Sequence, residues 1–364
     1  MITLTNGQLI LADGTVFHGQ LFGDRQAIDG EVVFNTSMTG YQEILTDPAY
    51  FNQIIMFTNP TIGSYGINRD DFETIIPFAK GIIIKELSHE PSNFRHEETL
   101  GSFLKSYEMT GIHGIDTRLL MRHIQTKGTM YGTITPTVSD AEVTTIVSQL
   151  ADRREVKGVE HTSIAKPYVV PGRGKRIVLI DLGLKHGILR ELTKRDCHIT
   201  VVPYNYTAAE IIRLKPEGIL LSSGPGNPLL VKETIATIKE LYYKLPIFGI
   251  GLGHQILAIA CGATVKKSKT GFRGTSYPVK QLATNQTVMT TQNNSYLVTD
   301  EQLASSGLKV THINLHDETI AGLSHQKYPL FSVQFYPEGS PGPEDSLYLF
   351  DHFLKLIANR KCEG

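Results

Sequence analysis

The feature that most constrains the fold is a strict alternation of short apolar strands and helices in the second half of the chain. RIVLID, HITVVP, GILLSS and PIFGI have the pattern of buried strands, and helical patterns begin between them near Leu184, Ala208 and Leu230. This alternation predicts a parallel sheet with helices on its faces. A strand-rich stretch over residues 263–335 and a final helix over about 344–359 follow.

The first 160 or so residues predict a strand-rich α+β domain. Asp13 and Gly14 lie between alternating apolar stretches, as in a hairpin turn. The segment DTRLLMRHIQTKG predicts a helix with Asp116 as its N-cap and an end at Gly128. Further strands are predicted at residues 31–35, 53–58 and 80–85.

The length of 364 residues allows two or three domains. We expect a first domain over residues 1–165 and a second over residues 175–361. Between them, KPYVVPGRG carries two prolines and two glycines, a composition typical of an interdomain connection. The segment 166–174 is therefore predicted to be a linker.

The composition excludes several classes of function. The chain has 35 Lys and Arg against 36 Asp and Glu, so no charge excess attracts nucleic acid or an anionic membrane. The N-terminus lacks a basic region before its short apolar stretch, and no window approaches the ~18 apolar residues of a membrane span. We therefore expect a cytoplasmic protein.

The cysteines predict neither a disulfide framework nor a metal site. Cys197, Cys261 and Cys362 are odd in number and far apart, and no CxxC pair occurs, so we expect reduced thiols. The chain also lacks the GxxxxGK[ST] phosphate loop. ATP chemistry is therefore expected to belong to a partner.

Three segments follow predicted strands of the α/β part: SSGPGNP, IFGIGLGHQ and VQFYPEGSPGPED. Active sites of open α/β sheets lie beyond the carboxyl ends of the strands. IFGIGLGHQ has the form of a nucleophile elbow, a sharp turn between strand and helix, flanked here by Gly249 and Gly253. The elbow position itself is Gly251, which has no side chain for covalent catalysis.

From end to end, the chain resembles the small, glutaminase subunit of carbamoyl-phosphate synthase. The first half carries EVVFNTSMTGYQEILTDPAY, SYGINRDDFE, IIIKELSHEPSNFR and GIHGIDTR, which are typical of that subunit. The second half, with SSGPGNP, IFGIGLGHQ, TTQNNSYLV and FSVQFYPEGSPGPED, resembles a class I glutamine amidotransferase domain with a mostly parallel central sheet.

The resemblance implies a cytoplasmic subunit that hydrolyses glutamine through a Cys-His-Glu triad. Ammonia then passes through a tunnel to a large subunit, which forms carbamoyl phosphate for pyrimidine or arginine synthesis. We expect no cofactor in this chain, because ATP and a divalent metal belong to the large subunit. The N-terminal domain is expected to dock that subunit, and its alternative is a self-contained structural domain.

The sequence departs from the family at the triad. By resemblance, the nucleophilic Cys falls on Gly251 and the catalytic His on Tyr336, while Glu338 matches. A phenol with an ordinary pKa near 10 is a poor general base at neutral pH, and without a thiolate no thioester forms. We therefore predict that glutamine hydrolysis is lost.

Neighbouring pocket positions also differ. The family's Ser in TDPSY is Ala49, the Asp of GPGDP is Asn227, and the QNHGF or QNHGY string is QNNSY. Several changes around one pocket favour a natural loss of glutaminase over an engineered inactivation, which would more simply replace the Cys alone.

Other pocket features match the family. By resemblance, the N–H groups of Gly224 and Leu252 form the oxyanion hole. The glutamine site is expected to be lined by Gly226, Gln255, Asn293, Ser295 and Tyr296. Two interpretations remain open: these residues still bind glutamine weakly, or they persist because the fold requires them.

No other residue is expected to replace the lost pair. Cys261 lies ten residues past the elbow, about 15 Å along the following helix. His254 points from the first helical turn, where packing or capping is expected. His316 and His325 lie on strand ends or loops.

The leading hypothesis is a small subunit, in a heterodimer with the large subunit, that has a dead glutaminase site and supports ammonia-dependent synthesis. The alternative is a regulatory subunit that binds glutamine without hydrolysing it. A third hypothesis is a copy that competes with an active small subunit in the same organism.

Overall fold

The computed structural model describes residues 5–360, which divide into two compact units with the boundary between Val156 and Lys157. The prediction for Cys362 lies outside the described residues. The first unit is strand-rich, with short helices between its strands. Its strands are β1 Thr5–Leu11, β2 Val16–Gly23, β3 Ile28–Asn35, β4 Gln53–Phe57, β5 Thr61–Ile62, β6 Gly81–Ile83, β7 Glu86–Leu87, β8 Thr110–His113 and β9 Met130–Pro136. Its helices are α1 Tyr41–Leu45, α2 Leu100–Ser106, α3 Thr117–Lys127 and α4 Asp140–Ala151, with a 3-10 turn at Pro48–Tyr50.

Seven strands of this unit close into a barrel in the order β1-β2-β8-β6-β4-β3-β9, and β9 pairs with β1. The predicted hairpin joins β1 to β2, with Gly14 at φ +86° in the turn. The predicted helix is α3, whose N-cap Asp116 accepts a hydrogen bond from the Leu119 N–H at 2.9 Å, and Gly128 is its C-cap. Both local predictions are confirmed.

Strand β4 of the barrel is buried on both faces. On β4, Ile54 and Met56 pack in one hydrophobic cluster with Leu120 of α3, while Ile55 packs in another with Phe103 of α2. This split follows the two-residue period of a strand. It explains why β4 reads as a continuous apolar run.

The second unit is an α/β structure around a ten-stranded sheet. Its strands are β10 Tyr168–Val170, β11 Arg176–Asp181, β12 His198–Pro203, β13 Gly218–Leu221, β14 Ile247–Ile250, β15 Val265–Gln281, β16 Thr287–Val298, β17 Leu308–Asn314, β18 Ile320–His325 and β19 Leu330–Val333. Its helices are α5 Val159–Thr162, α6 His186–Lys194, α7 Ala208–Arg213, α8 Lys232–Leu241, α9 Leu252–Ala260 and α10 Tyr348–Arg360, with 3-10 turns at Pro228–Leu230 and Ala304–Ser306.

The strand order of this sheet is β10-β12-β11-β13-β14-β19-β18-β17-β15-β16. The central block β12-β11-β13-β14-β19 is parallel, and the flanking strands pair antiparallel. Side chains of β11 pack alternately on two cores: Val178 contributes to the core with Ile238 of α8, and Leu179 to the core with Phe353 of α10. The predicted α/β class with a strand-rich first domain is confirmed.

The segment 166–174, predicted to be a linker, differs from that expectation. It contains β10, which pairs antiparallel with Ile199–Val201 of β12 and so extends the sheet of the second unit. The prolines and glycines flank this short strand and do not interrupt it. A three-residue edge strand carries too little periodicity to be distinguished from a loop in the sequence.

Candidate functional site

Four parallel strands bring the candidate segments to one edge of the sheet. β11, β13, β14 and β19 lie side by side, so the chain leaves all four strands at the same edge. The residues that follow these strands include Lys185, Ser223, Gly251, Tyr336 and Glu338.

The turn after β14 has the backbone of an elbow. Gly251 is the N-cap of α9 with φ +57° and ψ −110°, a conformation that favours glycine. Its N–H donates to the Val333 carbonyl at 2.9 Å, and its carbonyl accepts from the Gln255 N–H at 3.3 Å. The turn is therefore held by β19 on one side and by α9 on the other.

The flanking glycines are required by close packing. A Cβ on Gly249 would lie 2.7 Å from the carbonyl oxygen of Gly253. A Cβ on Gly253 would lie 2.5 Å from the Cβ and 2.6 Å from the carbonyl oxygen of Leu221. The strand, the helix and the neighbouring β13 therefore approach too closely for side chains at these two positions.

The direction of a side chain at the elbow is defined by the same backbone. A Cβ built on Gly251 would lie 3.3 Å from Cε1 of Tyr336 and 3.3 Å from Cβ of Ser223. The structure thus brings together Gly251 and Tyr336, the two positions that the sequence analysis assigns to nucleophile and base. Ser223 is a neighbour that the sequence analysis missed.

Tyr336 and Glu338 belong to a buried charged cluster with Lys185. The Lys185 Nζ lies 3.3 Å from Oε1 of Glu338 and 4.2 Å from the ring centroid of Tyr336. The side chains of Lys185 and Glu338 are fully buried, and Tyr336 is 2% exposed. Lys185 was also missed, although a lysine soon after the buried strand RIVLID, at the edge where the other segments lie, is a usable signal.

The two residues expected to form an oxyanion hole lie close together. A Cβ on Gly224 would lie 3.0 Å from Cδ2 of Leu252 and only 2.1 Å from the Leu182 carbonyl oxygen. Leu252 is the first residue of α9, where a backbone N–H has no acceptor within its own helix. Among the described residues, the buried Ser223 hydroxyl beside them has no hydrogen-bond partner.

Polar side chains expected to bind glutamine make contacts within the second unit. The Gln255 amide donates to the Tyr296 carbonyl at 2.8 Å and to Oε1 of Gln334 at 3.0 Å. The Ser295 hydroxyl accepts a short hydrogen bond from the Arg273 guanidinium. These contacts tie α9 to β16 and β19, and β16 to β15.

The remaining predicted site residues occupy separate local environments. Asn293 is buried on β16 opposite Arg273, and Gly226 has φ +84° in the exposed turn after β13. Asn227 caps the next 3-10 turn. Ala49 lies in the first unit, in the 3-10 turn Pro48–Tyr50, where its N–H donates to the Asp47 carboxylate at 2.9 Å.

The surroundings of His254 and Cys261 indicate structural roles and not catalytic ones. The His254 Nδ1 and the Ser332 hydroxyl are 2.8 Å apart, and burial together with nearby His312 lowers the pKa of His254 to about 3. Cys261 ends α9, and burial raises the pKa of its thiol to about 12. An imidazole with so low a pKa is a very weak base, and a thiol with so high a pKa stays protonated and is a poor nucleophile.

His316 and His325, the two other histidines considered as replacements for the base, make local contacts. His325 Nδ1 accepts from the N–H groups of Lys327 and Tyr328, and the His316 N–H donates to the Asn314 side chain. Within residues 5–360, no group of three or more His, Cys, Asp or Glu residues could hold a metal ion. In the same part of the chain, every helix is too short or too polar to cross a membrane.

The chain matches two protein families in sequence. Residues 9–134 match the family described as "Carbamoyl-phosphate synthase small chain, CPSase domain", and residues 178–356 match "Glutamine amidotransferase class-I". The chain is 53% identical over 356 residues to the carbamoyl phosphate synthase small chain of Oceanobacillus iheyensis, covering 98% of this chain and 97% of that protein.

A second relative is the carbamoyl phosphate synthase pyrimidine-specific small chain of Bacillus subtilis. It is 51% identical over 358 residues, which cover 98% of this chain and 97% of that protein. A solved glutamine amidotransferase from Thermotoga maritima matches 46% of this chain and 77% of its own chain, at 18% identity and a TM-score of 0.37.

Proposed function

The chain belongs to the family of carbamoyl-phosphate synthase small chains, and we propose that this member has lost glutamine hydrolysis while keeping its role as partner of the large chain. The observation that carries the proposal is Gly251: it has the backbone of a nucleophile elbow and no side chain. Without a thiolate at this point, the thioester intermediate cannot form.

The base position supports the same conclusion. A Cβ on Gly251 would lie 3.3 Å from Cε1 of Tyr336, whose ring lies against the Lys185 ammonium. This side chain carries no imidazole nitrogen to accept a proton from a thiol. Neither half of the nucleophile and base pair is therefore present, and catalytic groups that act as a unit fail together.

The proposed role of the protein is to hold or regulate a large, ATP-using chain that takes free ammonia. The complex would supply carbamoyl phosphate for pyrimidine or arginine synthesis. To test this, the chain is co-expressed with its large chain and carbamoyl phosphate is measured from glutamine and from ammonium. We expect production from ammonium alone. Glutamine-dependent production above that of the large chain by itself would refute the proposal.

Two further measurements separate the parts of this proposal. Size-exclusion chromatography of the two chains at micromolar concentration should give one complex. A stable interface of this kind commonly buries about 1,200 Å² or more in total. Separate elution of the two chains would contradict the proposed partner role. Independently, the purified chain should release no glutamate above a blank, and a glutamine-like affinity label should leave no adduct on the peptide that contains Gly251.

A second function, glutamine binding without hydrolysis, is favoured by the elbow backbone at Gly251 and by the proximity of Gly224 and Leu252. Against it, the Gln255 amide and the Ser295 hydroxyl are engaged within the second unit. Isothermal titration of the chain with glutamine decides between the two functions. Saturable heat supports the binding function, and its absence supports the first proposal.

A further inference from the structure

The carboxylate of Glu338 and the ammonium of Lys185 form an ion pair in the interior of the second unit. Their closest atoms, Oε1 and Nζ, are 3.3 Å apart, and both side chains are fully buried. Lys185 is the N-cap of α6, after β11, and Glu338 follows β19, so the pair links two chain segments at the same edge of the sheet. The ammonium also donates to the Gly339 carbonyl at 3.2 Å.

The ring of Tyr336 provides a third neighbour for the ammonium. Nζ lies 4.2 Å from the ring centroid, within the range of a cation–π interaction. Such an interaction is stronger when both groups are desolvated, and Tyr336 is 2% exposed. The buried ammonium thus contacts a carboxylate, a carbonyl oxygen and an aromatic face.

We propose that Glu338 is retained as the counter-ion of Lys185 and that the Tyr336 ring shields the same ammonium. Removing one partner of a buried ion pair leaves a charge in a medium of low dielectric constant, which strongly destabilises a fold, whereas removing both is often tolerated. A carboxylate at position 338 is therefore required by charge balance even when there is no base for it to orient. The proposal concerns stability and does not depend on the loss of glutaminase.

The test is a double-mutant cycle on the full chain, with Glu338→Gln, Lys185→Met and the double variant followed by far-UV circular dichroism. We expect each single change to lower Tm by about 10 °C. The double variant should regain at least half of the larger single loss. Losses that add in the double variant, or a Glu338→Gln variant as stable as the parent, would overturn the proposal.

An exposed ion pair of the same unit is the matched control. Lys266 and Glu301 form a short contact with side chains 60% and 55% exposed. Lys266→Met and Glu301→Gln should each shift Tm by less than about 2 °C, because exposed pairs contribute little. Equal Tm shifts at the exposed and buried pairs would show that burial does not determine the effect of losing a charge.

The contribution of the aromatic ring is tested separately. Tyr336→Phe keeps the π face and should lower Tm less than Tyr336→Leu; the reverse order would exclude the shielding role. If the single charge variants do not fold, the soluble yield of the double variant replaces Tm. A soluble double variant supports the proposal, and an insoluble one contradicts it. Because glutamate release is a different readout, failure here leaves the proposed function testable on its own.

Discussion

The elbow after β14 and the charged cluster after β19 differ in what holds them in place. At the elbow, Gly251 has φ +57° and ψ −110°, and a Cβ there would lie 3.3 Å from Cε1 of Tyr336. After β19 the side chains form their own buried arrangement, with Tyr336 and Glu338 both on Lys185. The elbow is thus a backbone turn that carries no side chain, whereas the cluster is a packed group of side chains.

This difference shows that the elbow and the charged cluster are maintained by different interactions. The elbow is maintained by packing, because Gly249 and Gly253 allow β13, β14 and α9 to approach closely. The cluster is maintained by charge, because a buried ammonium needs an opposite charge nearby. A nucleophile at the elbow would require one added side chain, whereas a new base after β19 would disturb a packed ion pair.

The largest expected effect comes from restoring both halves at once. Gly251→Cys alone should give little glutaminase activity, because a thiol without a neighbouring imidazole keeps a pKa near 8.5. Adding Tyr336→His should raise glutamate release by at least about 100-fold over the single variant, since a general base contributes on that scale. Steady-state glutamate release by the single and double variants, assembled with the large chain, provides the measurement.

The control is Tyr336→His alone, which should be inactive because it lacks a nucleophile. Equal activity in Gly251→Cys and in the double variant would break the comparison. It would mean that the half after β19 already supplies a base.

A second prediction concerns how the stability of the second unit depends on pH. Burial and neighbouring histidines lower the pKa of His254 to about 3 and of His312 to about 4. Both lie below the ordinary value near 6.5, so the unfolded chain binds more protons and stability falls as pH drops through 6.5 toward 4. We expect each imidazole to reduce the free energy of unfolding by about 2 kcal/mol between pH 7.5 and pH 5.

Urea unfolding at the two pH values measures this loss. His254→Gln, which removes one imidazole beside Ser332, should reduce the pH-dependent loss by about half. The same loss in the parent and the variant would show that the neutral imidazole does not support the elbow.

A third prediction separates the two kinds of glycine at the elbow. Gly253→Ala should destabilise the chain by about 3 kcal/mol, because its Cβ would lie 2.5 Å from Leu221. Gly251→Ala should cost only about 1 to 2 kcal/mol, since its Cβ contacts are at 3.3 Å and the cost is backbone strain. Chemical denaturation ranks the two variants, and the opposite order would contradict the packing role of the flanking glycines.

Local patterns in the sequence were sufficient for much of the fold. The alternation from RIVLID to PIFGI predicts the parallel block of the sheet, and the Asp116 and Gly128 caps match the ends of α3. These features depend on residues close together in the chain. The form IFGIGLGHQ likewise predicts the elbow that the structure contains, because a strand, a turn and a helix are contiguous there.

Features that depend on distant residues were not predicted. The barrel closes through pairing of β1 with β9, and β10 is a strand because β12, about 30 residues later, accepts it at the sheet edge. No local periodicity encodes such a pairing.

The sequence by itself determined which side chains are absent from the candidate site: Gly251 has no thiol and Tyr336 has no imidazole. The tertiary structure decided what surrounds those positions. Lys185 and Glu338 are separated by more than 150 residues in the chain, yet β11 and β19 bring their charges within 3.3 Å in the interior. Whether a lysine is solvated or needs a counter-ion depends on burial, and burial follows from the packing of the whole unit.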